Sequence, residues 1–216
     1  MSTQVILVRH GETDWNREGR IQGHLPIPLN KRGLAQAAAV ADRLKTTPFS
    51  ALYSSDLLRA RQTAEAIGRA RGARVICDER LREWDLGVLS GLMRAVAEDL
   101  HPEAFGIYRN RIVDEPVPGG ESVRQRYDRV TEAVQEIASA HPEETLVVVS
   151  HGGPLGDCYR RAVGAPLNAG LRVDLFNASI NRIRIDGEDW RLESWGDVDH
   201  LEVLGTLANW EGRTLR

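Results

Sequence analysis

Apolar residues along this chain fall into two alternating patterns. Short β-rich runs at 4–8, 51–54, 74–77 and 145–149 predict strands. The runs at 5–8 and 145–149 are nearly unbroken, as expected of parallel strands covered on both faces. Helical spacing fills the intervals. Asn30 stands at a cap position, and Leu34, Ala37, Ala38, Ala41 and Leu44 mark an apolar face behind it. Asp56 is placed to cap a second helix running to about residue 71. Ser122, with Gln125 three positions on, forms a capping box for a third, whose core stripe is Val123, Tyr127, Val130, Val134 and Ile137. Pro154 suits the first turn of a fourth helix. Further runs at 171–176, 179–185 and 190–194 predict later strands, the last two joined by a turn at Asp186-Gly187. The alternation predicts one α/β domain over 1–216. Its expected form is a three-layer α/β/α sandwich, with a mostly parallel central sheet and helices on both faces. The interval at about 90–120 breaks the pattern. It holds one short helix near 94–100 and a polar stretch ending Pro116-Val117-Pro118-Gly119-Gly120, and reads as a small lid insert.

The polar residues just beyond the predicted strands carry the chemistry. Arg9 and His10 follow the first strand, Arg59 the second, Glu83 the third and His151 the fourth. Parallel strands end on one rim, where open α/β sheets bind ligands, so these five side chains are expected to converge. Such a set suits phosphoryl transfer. Arg9, Arg59 and a protonated His151 would meet the equatorial oxygens of a phosphoryl group. An unprotonated nitrogen of His10 would attack phosphorus, its other nitrogen holding a proton against a nearby backbone carbonyl. Glu83 would protonate the leaving oxygen and later activate water. His24, His101, His141 and His200 read as ordinary surface histidines.

The segment Arg9-His10-Gly11-Glu12-Thr13-Asp14-Trp15-Asn16 resembles the signature of the histidine phosphatase (phosphoglycerate mutase-like) superfamily. The resemblance extends through Ser54–Thr63, Leu81–Gly87 and Val149–Gly153 to the tail Gly196-Asp197-Val198-Asp199-His200-Leu201. It implies that His10 is the phosphorylated histidine, that Arg9, Arg59 and His151 bind the phosphoryl group, and that Glu83 donates the proton. It also implies substrate contacts by Asn16, Gln22 and Gly23, although Gly23 reads equally well as a turn residue. Among the family's members the chain is most similar to the short broad-specificity phosphatases and probable phosphoglycerate mutases. The implied activity is hydrolysis of small phosphorylated metabolites. The alternative is a phosphoglycerate mutase dependent on 2,3-bisphosphoglycerate. Such mutases carry a tyrosine where this chain has Leu86, and an adjacent arginine pair where it has Arg109 and Arg111 on either side of Asn110. A non-catalytic phospholigand binder would be expected to lack one of the five rim residues, and all are present.

Composition narrows the field further. A net charge of −3 gives no bulk attraction to nucleic acid or anionic membrane. No cofactor and no metal are expected, because His and Asp do not cluster at ligand spacing. Cys77 and Cys158 read as buried, reduced thiols. With neither a signal peptide nor an apolar span, a cytoplasmic location is expected. An exposed edge strand offers a route to a homodimer.

Overall fold

A computed structural model describes residues 2–171 and 173–205. β1 (Ser2–Arg9) runs straight into the loop that begins with His10, and a short helix, α1 (Asp14–Glu18), follows. Next come α2 (Lys31–Leu44), β2 (Ala51–Ser54), α3 (Leu58–Arg71) and β3 (Val75–Cys77). The insert contributes α4 (Arg94–Leu100) and α5 (Pro102–Asn110). The chain then returns through α6 (Val123–Ser139), β4 (Thr145–Ser150), α7 (Gly152–Val163) and the hairpin of β5 (Ile180–Asp186) and β6 (Asp189–Asp197).

These strands form one six-stranded sheet in the order β3-β2-β4-β1-β5-β6. The part from β3 to β1 is parallel, and β5 and β6 add antiparallel edges. The two central strands are apolar throughout because both of their faces are covered. Val5, Leu7, Leu146 and Val148 pack under α6 and α7, while Ile6, Val8, Val147 and Val149 pack under α2 and α3. The insert and the loop before it close over a third, smaller cluster that includes Ile21, Trp84, Leu89, Phe105 and Val123. No helix among the described residues is long and apolar enough to cross a membrane.

Several local expectations change. The expected mostly parallel sheet is present from β3 to β1, and the predicted hairpin joins it antiparallel to β1. Residues 171–176 form no strand among the described residues; Leu171 and Leu175 are buried, filling the core from a loop. Ala37, Ala41 and Leu44 are buried as predicted, but Leu34 (52% exposed) and Ala38 face outward, because the buried stripe of α2 is rotated to take in Gly33, Gln36 and Val40. Gly33 sets this rotation. A Cβ there would lie 2.0 Å from the carbonyl oxygen of Glu12, so only glycine lets the loop after β1 lie against the helix. Asp56 caps nothing; it pairs with Arg82, and α3 starts behind Leu57 with no side-chain cap. Cys77 is exposed on the edge strand β3, whereas Cys158 is buried as expected. The stretch after 100, read as polar, holds α5, which opens on Pro102 and buries Ala104, Phe105 and Ile107.

The stripe on α6 also differs. Tyr127 is only half-buried, and Arg126 lies fully inside. Its Nε and Nη2 donate to Asp157 of α7 at 2.6 and 2.9 Å, and its guanidinium carbon lies 4.5 Å from the centre of the Trp84 ring. Both partners are desolvated, so each depends on the other's charge. Arg126→Ala is expected to lower the unfolding free energy by about 3–5 kcal/mol through the stranded Asp157 carboxylate. Exchanging both residues, Arg126→Met with Asp157→Leu, is expected to cost far less. Equilibrium denaturation of the two variants checks this, and equal losses would show that stranded charge is not the cause.

Candidate active site

The parallel strands end together at one edge, tied there by backbone bonds. The N–H of His10 donates to Ser150 O at 3.0 Å, that of Ser55 to Val149 O at 2.9 Å and that of Asp78 to Ser54 O at 2.9 Å. This edge brings His10, Arg59 and His151 into one buried cluster, with relative exposures of 2%, 1% and 0%. Arg9 and Glu83 are half-buried beside it.

His10 and His151 have ring centroids 5.1 Å apart. Nδ1 of His10 lies 2.7 Å from the carbonyl oxygen of Gly11. A carbonyl only accepts, so Nδ1 carries the proton and Nε2 keeps the lone pair. Burial is the main force holding His10 well below the usual imidazole range, and the positive charges of Arg59 and Arg9 add to it. The same holds for His151: burial first, then Arg59. The protonated His151 expected from sequence is thus opposed by its surroundings, which are dry and already positive. Its Nε2 lies 2.8 Å from the hydroxyl of Ser55, and its Nδ1 is buried without a hydrogen-bond partner.

Arg59 reaches the site from the first turn of α3. Its Nη1 and Nη2 donate to the carbonyls of Leu25 and Gly23 at 3.1 and 2.9 Å. Nε is buried and unpartnered. Burial pulls its pKa down to about 10, which still leaves it charged at neutral pH. Arg9 donates to the carbonyl of Leu175. Both guanidiniums thus use backbone carbonyls, which fix their direction, and for Arg59 these bonds leave the charge in place.

Glu83 is held at the N-terminus of α7. Its Oε1 accepts from the backbone N–H of Gly153 at 3.0 Å and from that of Trp84 at 2.9 Å. Its own carbonyl accepts from Nε2 of His24 at 2.7 Å and from Arg129, which also binds the carbonyls of Arg80 and Arg82. Arg129 pairs in turn with Glu121. His24 is therefore part of the frame that carries Glu83, not an ordinary surface histidine.

Of the three further sequence candidates, Asn16 and Gln22 meet around Thr13. Its hydroxyl lies 3.0 Å from Asn16 Oδ1 and 3.1 Å from Gln22 Oε1. Asn16 closes the capping box of α1. Gly23 has φ +49, and a Cβ on it would meet the Ser90 hydroxyl at 2.3 Å, so the turn requires glycine. Its carbonyl is already engaged by Arg59. Of the insert arginines, Arg109 pairs with Glu98 at the surface, and Arg111 lies near Arg126 and Arg160. An open cleft of about 780 Å³ runs between α1 and the start of α2. It shares Asn16 and Asn177 with the site, but none of the five rim residues lines it. Among the described residues, no three His, Cys, Asp or Glu are placed to hold a metal ion.

Arg126, Arg129, His24, Ser55 and Asn177 are the site's neighbours that sequence reasoning missed. Each sits in an unremarkable local pattern and gains its place only through a partner far along the chain.

Comparison with known proteins agrees with this arrangement. The sequence model of the histidine phosphatase superfamily (branch 1) matches residues 5–198. Phosphoglycerate mutase-like protein 4 of Arabidopsis thaliana is 43% identical over 211 residues, covering 95% of this chain and 90% of that protein. The metal-independent phosphoserine phosphatase of the same plant is 42% identical over 212 residues, covering 95% and 86%. The structure of Bacillus stearothermophilus YhfR superimposes with a TM-score of 0.85 at 32% identity, covering 92% of this chain and 99% of that one. With its rim residues assembled in the order the sequence placed them, the chain belongs to the histidine phosphatase superfamily.

Proposed function

We propose that the protein is a metal-independent phosphomonoesterase for small phosphorylated metabolites, acting through a phosphohistidine on His10. The observation that carries this reading is the setting of His10: buried, with Nδ1 against Gly11 O and Nε2 left as the nucleophile, in surroundings that push the imidazole pKa down, burial first. Nε2 attacks phosphorus and forms the N–P bond as the P–O bond to the leaving oxygen breaks. The leaving oxygen takes a proton from the Glu83 carboxyl group. Glu83, now a carboxylate, accepts a proton from water while the water oxygen attacks phosphorus and the N–P bond breaks, releasing phosphate and restoring Nε2. Arg9 and Arg59 supply the fixed positive charge. Ser55 accepts from the backbone N–H of Leu57, so its own hydroxyl hydrogen is available to His151 Nε2. That leaves the remaining proton of the neutral ring on Nδ1, the atom without a protein partner, as a donor to a phosphoryl oxygen. Asn16 and Gln22 border the same loop as further polar contacts.

Hydrolysis is favoured over mutase chemistry by what the insert lacks. A mutase must hold a bisphosphorylated intermediate and keep water out. Here Leu86 is buried where the mutases carry tyrosine, and Arg109 is spent on surface Glu98, so no adjacent arginine pair reaches the site. The phosphoserine phosphatase relative makes phosphoserine the first substrate to test.

The deciding experiment is a paired assay with EDTA present. It follows phosphate release from a panel including phosphoserine and p-nitrophenyl phosphate, alongside isomerisation of 3-phosphoglycerate with and without 2,3-bisphosphoglycerate. Release without isomerisation is expected, and His10→Ala is expected to lower it by about 10³-fold or more. Efficient isomerisation with little release would establish a mutase instead. Glu83→Gln is expected to slow alkyl phosphates by about 10²–10⁴-fold and p-nitrophenyl phosphate much less, since nitrophenolate leaves without a proton. Equal slowing of both would remove Glu83 from the donor role. The depressed pKa of His10 has a direct consequence: as pH falls through 6.5, the ring stays neutral and competent, and it protonates only at lower pH. An NMR titration of the free protein reads this, and an inflection for His10 at or above 6.5 would contradict it.

A further inference from the structure

We infer that Asn177 is a positioning residue for the nucleophile, fixing the proton of His10 on Nδ1 by holding the carbonyl that receives it. The inference rests on the reading of His10 given above.

Asn177 lies in the turn that leads into β5, more than 160 residues from the site loop, and is half-buried. Its side-chain nitrogen lies 3.0 Å from the carbonyl oxygen of His10, 3.3 Å from that of Gly11 and 3.3 Å from Oδ1 of Asn16. All three neighbours are acceptors, and Oδ1 of Asn16 is fixed as one by the N–H of Thr13. The amide of Asn177 can therefore face them only with its NH₂. The same turn adds a second anchor. The N–H of Ala178 donates to the carbonyls of Arg9 and His10 at 3.0 and 3.1 Å. Leu175 accepts from the Arg9 guanidinium.

The turn is held in an uncommon backbone state. Ala178 is fully buried and has φ +61, a left-handed conformation that a side-chain-bearing residue keeps only where its surroundings demand it. Its carbonyl accepts from Nε2 of His200 at 3.0 Å. This segment therefore grips the two peptide units that flank the nucleophile from one side and is locked by His200 from the other.

The consequence for chemistry lies at Gly11 O. That oxygen accepts Nδ1–H of His10, and the tautomer that leaves Nε2 free to attack exists only while the oxygen stays in place. Asn177 donates to the same oxygen and to the carbonyl one residue before it, so the Gly11–Glu12 peptide plane that carries this oxygen is tied to the plane before it and resists rotation. Without that donor the plane gains freedom, and a fraction of molecules carries the proton on Nε2, which is then no nucleophile.

The test uses the full chain with Asn177→Ala, and Asn177→Asp as a second variant that keeps the shape and replaces the donor by an acceptor. Circular dichroism checks that each is folded. Two readouts are taken: the His10 tautomer from ¹H–¹⁵N imidazole correlations in the free protein, and kcat and KM for the best substrate. The expected result is a single Nδ1–H form in the unmodified protein and a mixture in both variants, with kcat reduced about 10–100-fold and KM within about threefold. An unchanged tautomer overturns the inference whatever happens to kcat, and so does a shifted tautomer with kcat within about twofold of normal. Acid-quench trapping of the phosphoenzyme in the unmodified protein is run beside it. If no phosphoenzyme forms and His10→Ala remains active, the catalytic reading fails, while the tautomer measurement still reports on the Asn177 contact.

Discussion

Positive charge that is buried yet not neutralised is the constraint on which this site depends. A phosphoryl dianion is strongly hydrated, and only fixed charges in a dry pocket compete with water for it. Arg59 meets that need by donating to the carbonyls of Gly23 and Leu25, with no carboxylate among the described residues in ion-pair contact with it. The hydrogen bonds are satisfied and the charge remains. The same charge acts on the imidazoles: after burial, it pushes the pKa of His10 and His151 down, which on the proposed mechanism keeps the attacking nitrogen of His10 free before substrate arrives. On the proposed mechanism one arrangement thus attracts the substrate and prepares the attacking atom. Arg126 shows the opposite solution. It is just as buried but is bound bidentately by Asp157, and so contributes packing and position rather than a field.

Much of this was legible in the chain because it follows from local periodicity. The unbroken apolar runs at 5–8 and 145–149 identify strands covered on both faces, and the positions just after them identify a shared rim. The caps at Asn30 and Ser122 stand where the pattern put them. What sequence could not supply was rotation and partnership. Helical spacing fixes a stripe only to within about one residue, and the close approach of Gly33 to Glu12 decided that Leu34 faces outward. Asp56 had two uses available, a cap or an ion pair, and Arg82, itself placed by the turn after β3, decided between them.

The missed residues share a physical type. Arg126, Arg129 and His24 are ordinary polar residues whose partners lie dozens of positions away, and no local window contains both members of such a pair. Asn177 is the extreme case, since its acceptors sit at the other end of the chain. α5 escaped for a different reason. Pro102 reads as a break, although at a first helical turn it costs no hydrogen bond, and the apolar face behind it is only three residues long.

The separation of the two supports bears on how this framework admits different substrates. His10 is steadied by the turn before β5, with its back against the α2 and α3 layer. Glu83 is steadied by α6 and by the first N–H groups of α7, on the opposite layer, where the insert also packs. On the proposed mechanism the leaving group lies near Glu83 as its proton donor, and hence on the insert side. A change in the insert can therefore reshape the leaving-group pocket while the contacts that orient the nucleophile stay as they are. The converse does not hold. Anything that moves the turn at Ala178 reaches the His10 segment through the carbonyls of Arg9 and His10 at once, and on the proposed mechanism it affects every substrate alike. Within one such fold, the phosphoryl half of the site is bound to stay uniform, and the alcohol half is where specificity has room to differ.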